Sequence, residues 1–189
     1  MQKTQIDGDR IFVVRQFLSD EECETFVTRS EAAGYGEATI NTSLGVVMDK
    51  TVRDNARLIV DDPALATSLW QRLEPLVPPL IDQWRGQGLN ERFRFYRYDP
   101  GQRFQPHYDG SFKRSAHERS ELTFMVYLNE GFTGGETRFF GDDPAQLRFA
   151  VRPERGMALV FAHLQLHEGA AVVEGRKYVL RTDVMYRCE

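Results

Sequence analysis

The chain has 189 residues, of which 41% are hydrophobic and 28% charged, with a formal net charge of -4. That is the composition of one globular domain; no apolar run reaches the ~20 residues that span a bilayer, and the mixed charges leave no basic footprint for nucleic acid. The N-terminus (M-Q-K-T-Q-I-D-G-D-R) has no apolar signal-peptide core, and two cysteines, Cys23 and Cys188, read as free thiols, so a cytoplasmic protein is expected.

Taken in order, Arg10 to Leu18 is β-branched and aromatic and reads as a strand. Ser19 followed by Glu22 is a capping box, which starts a helix over about Asp20 to Ala33 that ends at Gly34 and Gly36. The polar stretch Glu37 to Asp54 is expected to hold short strands and a mobile loop. Arg57 to Val60 reads as a strand. Asp62-Pro63 opens a second helix carrying the Leu65, Leu69, Leu73 and Leu76 stripe. Pro78-Pro79 ends it, and a further helical turn or two is expected through Leu80 to Arg85.

From about Asn90 the texture changes to short β-rich runs. They are Arg92–Tyr98, Pro106–Asp109, Leu122–Leu128, Glu136–Phe140, Gln146–Val151, Met157–Phe161, Ala170–Val173 and Lys177–Tyr186. Eight strands so spaced suggest a sandwich or jelly roll. The expectation is a single α+β domain: residues 1–90 form a strand and helix extension, packed against a jelly-roll core over residues 91–189.

Within that core, Tyr98 to Asp109 (Y-D-P-G-Q-R-F-Q-P-H-Y-D) carries an H-x-D pair. In a strand, residues two apart point the same way, so His107 and Asp109 converge. They supply two ligands of a 2-His-1-carboxylate triad, the usual holder of non-haem Fe(II). Two later histidines, His163 and His167, compete for the third place. His167 is preferred because it opens a strand, whereas His163 sits in the turn before it. Ten residues on, Lys177, Val179 and Arg181 alternate onto one face. Two cations on an inner face are costly without an anion, and a bound dicarboxylate would supply one. The bland alternative is a solvated face, or pairing of Arg181 with Asp183. Arg53, Asn55 and Arg57 also alternate, and could meet a substrate carboxylate or peptide backbone. Ser111 to Ser120 follows the H-x-D pair and reads as a mobile lid, with His117 a loop residue within it.

Four segments now stand in a telling order: Y-D-P-G-Q-R-F-Q-P-H-Y-D, T-F-M-V-Y-L-N-E-G-F-T-G-G-E-T, R-G-M-A-L-V-F and H-E-G-A-A-V-V-E-G-R-K-Y. Together they resemble the Fe(II)/2-oxoglutarate-dependent dioxygenases, in the prolyl 4-hydroxylase-like branch. The resemblance is close over Arg92 to Arg187 and looser over the N-terminal strand and helix. It implies a double-stranded β-helix, a jelly roll, with Fe(II) held by His107, Asp109 and His167. It matches Lys177 to the basic residue that pairs with the distal carboxylate of 2-oxoglutarate, with Arg181 as second choice. It matches Tyr98 and Tyr127 to tyrosines lining the cosubstrate pocket, and makes Gly134 and Gly135 a turn before a strand. The implied reaction uses O2 and 2-oxoglutarate, releases succinate and CO2, and hydroxylates a C–H bond of a peptidyl residue, proline the first candidate, or of a small molecule. The competing reading is a metal-binding cupin-like β-roll that binds without 2-oxoglutarate turnover. The partner is then a peptide or small molecule, with no nucleic acid and no membrane, and the oligomeric state stays open.

Overall fold

A computed structural model of the chain describes every residue except Thr39, Ser43, Leu44, Met48, Lys50, Asp142 and Glu189. The expectation for Glu37 to Asp54 therefore falls partly outside the described residues. The described part includes a short antiparallel pair, Ile40–Thr42 with Gly45–Val47.

The architecture is mostly β, with two α-helices. The large sheet runs in the order Gln2–Asp7, Ile11–Arg15, Ala158–Ala162, Glu118–Tyr127, Lys177–Arg187, Arg92–Tyr98, Ala56–Asp61 and Gly36–Glu37, with further strands joined at its side. A smaller sheet runs Phe104–His107, His167–Gly169, Thr137–Phe140 and Leu147–Val151. The named pairings in both sheets are antiparallel. Strands from before and after residue 90 thus share one sheet, and Ile11–Arg15 pairs directly with Ala158–Ala162.

Period-two alternation in the central strands separates two cores. Phe93, Phe95, Leu122, Phe124, Val126 and Leu180 join one buried cluster, which also contains Cys23 of helix α1 (Asp20–Ala33) and Ala66, Leu69 and Leu73 of helix α2 (Pro63–Leu73). Their neighbours in sequence, Tyr96, Tyr98, Tyr127 and Val179, face the other way into a second cluster shared with Phe139 and Val151 of the small sheet. Burial of Phe93 and Phe124, both fully inaccessible, contributes about 2–3 kcal/mol each. The helix starts follow the sequence signals. Ser19 Oγ accepts from the Glu22 backbone N–H at 3.1 Å, and Glu22 Oε2 accepts from the Ser19 N–H at 2.9 Å. Asp62 caps α2 through the Leu65 N–H at 2.9 Å, with Pro63 in the first turn.

Three expectations are corrected. Leu80 to Arg85 is not helical. Leu80–Ile81 and Trp84–Leu89 form a hairpin whose turn places Asp82 at φ 51°. Two prolines deny the segment helix-type hydrogen bonds, while Trp84 and Leu89, at the two ends of the second strand, are buried in the core. The strand expected over Pro106 to Asp109 is Phe104–His107 and stops before Asp109. Ser111 to Ser120 is no irregular loop: Lys113–Ser115 pairs with the strand beginning at Glu118, and Arg114 forms ion pairs with Glu118 and Glu91. His117 sits at the tip of this hairpin and is exposed.

Candidate metal and cosubstrate site

The two sheets enclose a cavity of about 540 Å³. The H-x-D pair and the distal histidine meet on its wall through the register of the small sheet. His107 and His167 are directly opposed on antiparallel strands, with ring centroids 4.3 Å apart. Asp109, two residues past the strand end, is held by its backbone N–H, which donates to the His163 carbonyl at 3.2 Å. Its carboxylate oxygens lie 3.7 Å from Nε2 of His107 and 3.7 Å from Nε2 of His167. The three ligand atoms lie within 4.8 Å of one another.

The donors fit a hard-to-borderline divalent ion. His107 Nδ1 is 2.7 Å from the Gln105 carbonyl and His167 Nδ1 is 2.9 Å from the Gln165 carbonyl. A carbonyl only accepts, so each Nδ1 carries the proton and each Nε2 keeps its lone pair for a ligand bond. Burial, with the neighbouring imidazole, pushes His107 down to about 3, and burial lowers His167 as well. Both rings are therefore neutral at physiological pH. Burial alone would raise Asp109, but the charge of Arg181, with the Thr123 hydrogen bond, holds it well below the usual carboxylate range. Two neutral imidazoles and one carboxylate form the set that suits Fe(II).

His163 is excluded from that set by its own bonds. Thr123 Oγ1 donates to Asp109 Oδ2 at 2.5 Å and so accepts from His163 Nδ1 at 3.1 Å. Ser120 Oγ then meets Nε2 at 2.8 Å. Both ring nitrogens are used, and the ring props Thr123 against the ligand carboxylate.

Lys177, Val179 and Arg181 line the cavity together, but the two cations differ in company. Arg181 lies 3.0 Å from Asp109 Oδ2 and 3.2 Å from Asp183 Oδ1. Its charge is already balanced by these two carboxylates, and the pairing with Asp183 is the one the bland alternative named. Replacing Arg181 with methionine would leave two buried carboxylates facing each other. We expect a loss of about 3–5 kcal/mol, read as a fall of about 10 °C in thermal midpoint; an unchanged midpoint would show that the network carries no stability.

Lys177 is 2% exposed and forms no ion pair among the described residues. Its Nζ donates to the Gly135 carbonyl at 2.6 Å and sits 5.2 and 5.4 Å from the ring centroids of Tyr98 and Tyr127. Burial pushes this amine down to about 7. Gly135 turns at φ 70°, where a Cβ would press to 3.0 Å of Phe132 and 3.2 Å of Lys177 Cδ, so glycine is what lets that carbonyl reach the amine.

The other expected residues divide. Tyr98 lines the cavity. Tyr127 does not: it lies behind Lys177, and its hydroxyl is committed to Thr137 at 2.6 Å. Arg53 and Arg57 line the cavity, whereas Asn55 is buried behind them and accepts from Arg53 Nε at 2.6 Å. Thr123, Thr137, Arg94 and Tyr96 are cavity residues that pattern reading passed over. The signal was available for two of them, since Arg94 and Tyr96 stand four and two residues before Tyr98 on the same strand face.

Comparison with known proteins agrees with this geometry. Residues 93–182 match the model of the 2OG-Fe(II) oxygenase superfamily, a family that uses Fe(II), 2-oxoglutarate and O2. The chain is 26% identical over 211 residues to probable prolyl 4-hydroxylase 7 of Arabidopsis thaliana, covering 89% of this chain and 60% of that protein. It therefore spans about three fifths of that relative's length. Among solved structures, it superposes on the 2OG complex of the viral collagen prolyl hydroxylase of Paramecium bursaria Chlorella virus-1 with a TM-score of 0.62, at 20% identity over 97% of this chain and 99% of that one. It superposes on a prolyl hydroxylase from Trichoplax adhaerens, in complex with a hypoxia inducible factor oxygen degradation domain peptide, with a TM-score of 0.72, at 14% identity over 95% and 85%. The fold is thus that of these jelly-roll proteins, and residues 93–182 of this chain are similar to the 2OG-Fe(II) oxygenase superfamily.

Proposed function

We propose that this protein is an Fe(II)- and 2-oxoglutarate-dependent dioxygenase that hydroxylates a C–H bond of a peptidyl residue or small molecule, with release of succinate and CO2. Proline in a peptide is the first candidate, by the relatives' names and the peptide held by the Trichoplax protein. The observation that carries the reading is Lys177: a buried amine with no carboxylate partner among the described residues, lining the same cavity as His107, Asp109 and His167. A cation so placed is costly until an anion joins it.

His107 and His167 would present Nε2 to the metal, and Asp109 would present the oxygen not already engaged by Thr123 and Arg181. Lys177 would pair with the distal carboxylate of 2-oxoglutarate, with the Tyr98 ring packed beside its ammonium. Phe104, Met125, Phe161 and Val179 complete an apolar lining that excludes water from the reacting groups. When bound, Fe(II) with 2-oxoglutarate and O2 supplies the oxidation of an unactivated C–H bond. The hairpin of Lys113–Ser115 follows the cavity residues Ser111 and Phe112, and Arg114 pairs it with Glu91. Cys23 and Cys188 are unpaired, in keeping with a reducing, cytoplasmic setting.

The test is succinate release from 2-oxoglutarate by anaerobically Fe(II)-loaded protein on admission of air. Slow, iron-dependent uncoupled turnover is expected. No turnover, with no visible absorption from an Fe(II)–2-oxoglutarate complex, would return the protein to the cupin-like binding reading.

A further inference from the structure

The cavity carries more positive charge than this chemistry uses. Arg53, Arg57, Arg94, Lys177 and Arg181 line it, against the carboxylates of Asp109 and Asp183. Arg181 is matched by both acids, and Arg94 lies 3.3 Å from Asp183. Lys177 is assigned to 2-oxoglutarate. Arg53 is different: it is 5% exposed and has no acidic partner among the described residues.

Arg53 is also held in place. Its guanidinium lies 4.4 Å from the Tyr96 ring centroid and 4.5 Å from that of Phe104. Nε donates to Asn55 Oδ1 at 2.6 Å, and Asn55 is itself buried and donates to the Ala56 carbonyl at 2.8 Å. Nη2, by contrast, is buried with no hydrogen-bond partner among the described residues. The Phe104 ring that supports the guanidinium also stacks on His107, with centroids 3.6 Å apart and planes 18° from parallel. A single aromatic ring thus links this cation to the candidate metal site. The local potential is positive: burial would raise the Tyr96 phenol, yet Arg53, Arg181 and Arg94 together bring it below its ordinary value.

An unmatched buried donor on a charged, immobilised group is unfavourable unless a ligand completes it. The planar guanidinium, fixed on one edge by Asn55 and belonging to a cavity-lining residue with a donor left over, suits a carboxylate. We propose that Arg53 is the carboxylate-binding residue of the substrate site, with Asn55 positioning it. The substrate class is then a free amino acid or the C-terminal residue of a peptide. The backbone of an internal residue brings only neutral amides to Arg53 and leaves its charge unmatched. This rests on the assignment of the metal and 2-oxoglutarate sites given above, and it narrows the substrate beyond that assignment.

The experiment uses the full chain loaded with Mn(II) and 2-oxoglutarate under anaerobic conditions, after calorimetry has established that 2-oxoglutarate binds. The probes are the standard L-amino acids and Gly-Ala-X tripeptides, each as free acid and as C-terminal amide, and Gly-Ala-X-Ala-Gly peptides blocked at both ends. The tightest ligand is expected to be a free acid that binds about 10- to 100-fold better than its amide. Whether it falls in the amino-acid or the tripeptide series separates the two sources of the carboxylate. Arg53→Gln is expected to erase the acid preference and Arg53→Lys to retain part of it. Equal binding of acids and amides, a blocked peptide as the best ligand, binding by no acid, or an acid preference that survives Arg53→Gln would each overturn the proposal. The wild-type acid and amide comparison decides this without any variant. Failure of 2-oxoglutarate to bind in the first step would instead overturn the assignment of the site on which the proposal rests.

Discussion

Replacing Asp109 with alanine is expected to abolish succinate formation and to weaken Fe(II) binding by at least about a hundredfold, since even groups behind a ligand set are worth about 10- to 100-fold. The expectation follows from how the carboxylate is held. Thr123 and Arg181 both grip Oδ2, and the backbone N–H of Asp109 is tied to the His163 carbonyl. Oδ2 is thus committed to the protein, 3.7 Å from His167 Nε2, and Oδ1 is left 3.7 Å from His107 Nε2. No other described acid can move into that place, because Asp183 is held by Arg94 and Arg181. The fold itself should survive the change, since Arg181 keeps Asp183 as a partner. The measurement is Mn(II) or Fe(II) titration beside thermal unfolding. A folded variant that binds metal as the wild type does, and turns over, would sink the triad assignment.

The second large effect is at Lys177, and its two halves have opposite signs. Lys177→Met removes a buried amine that has no acid beside it, so the protein without ligand should be as stable as the wild type or more so. Binding of 2-oxoglutarate should suffer by about 2–5 kcal/mol, roughly 30-fold to several thousandfold in Kd, because the ligand carboxylate loses its buried partner. A pH dependence accompanies this. Lys177 is pushed down to about 7 in the folded protein, from an ordinary value of 10.5. Between those values the unfolded chain binds the extra proton, so the stability of the ligand-free protein rises with pH across this window. The dianion favours the charged amine, so its affinity is full below about 7 and declines as pH rises toward 10.5. Titration calorimetry in buffers of different ionisation enthalpy should detect proton uptake on binding near pH 8. No uptake, together with unchanged affinity in Lys177→Met, would remove Lys177 from the cosubstrate site.

Much of this was legible in the chain, for one physical reason. Side chains on a strand alternate, so H-x-D and K-x-V-x-R declare a shared direction without any knowledge of the partner strand. The helix starts were equally local, because a capping hydroxyl or carboxylate acts on backbone groups three residues away. Local sequence misled where the deciding contacts were distant. Leu80 to Arg85 became a hairpin because Trp84 and Leu89 join the core on an edge of the large sheet. The apparent lid became a paired hairpin because Arg114 reaches Glu91.

The site divides along the same line. By itself the sequence determined the chemical inventory, two imidazoles, a carboxylate and a lysine in order, and the strand faces that carry them. Only the tertiary structure decided which histidine stands opposite His107, that Arg181 balances Asp109, that Tyr127 lies behind the wall, and that Arg53 is left with an unmatched donor. Those outcomes depend on register between strands tens of residues apart and on which charges are buried together. Neither quantity is encoded in the spacing of residues along one strand.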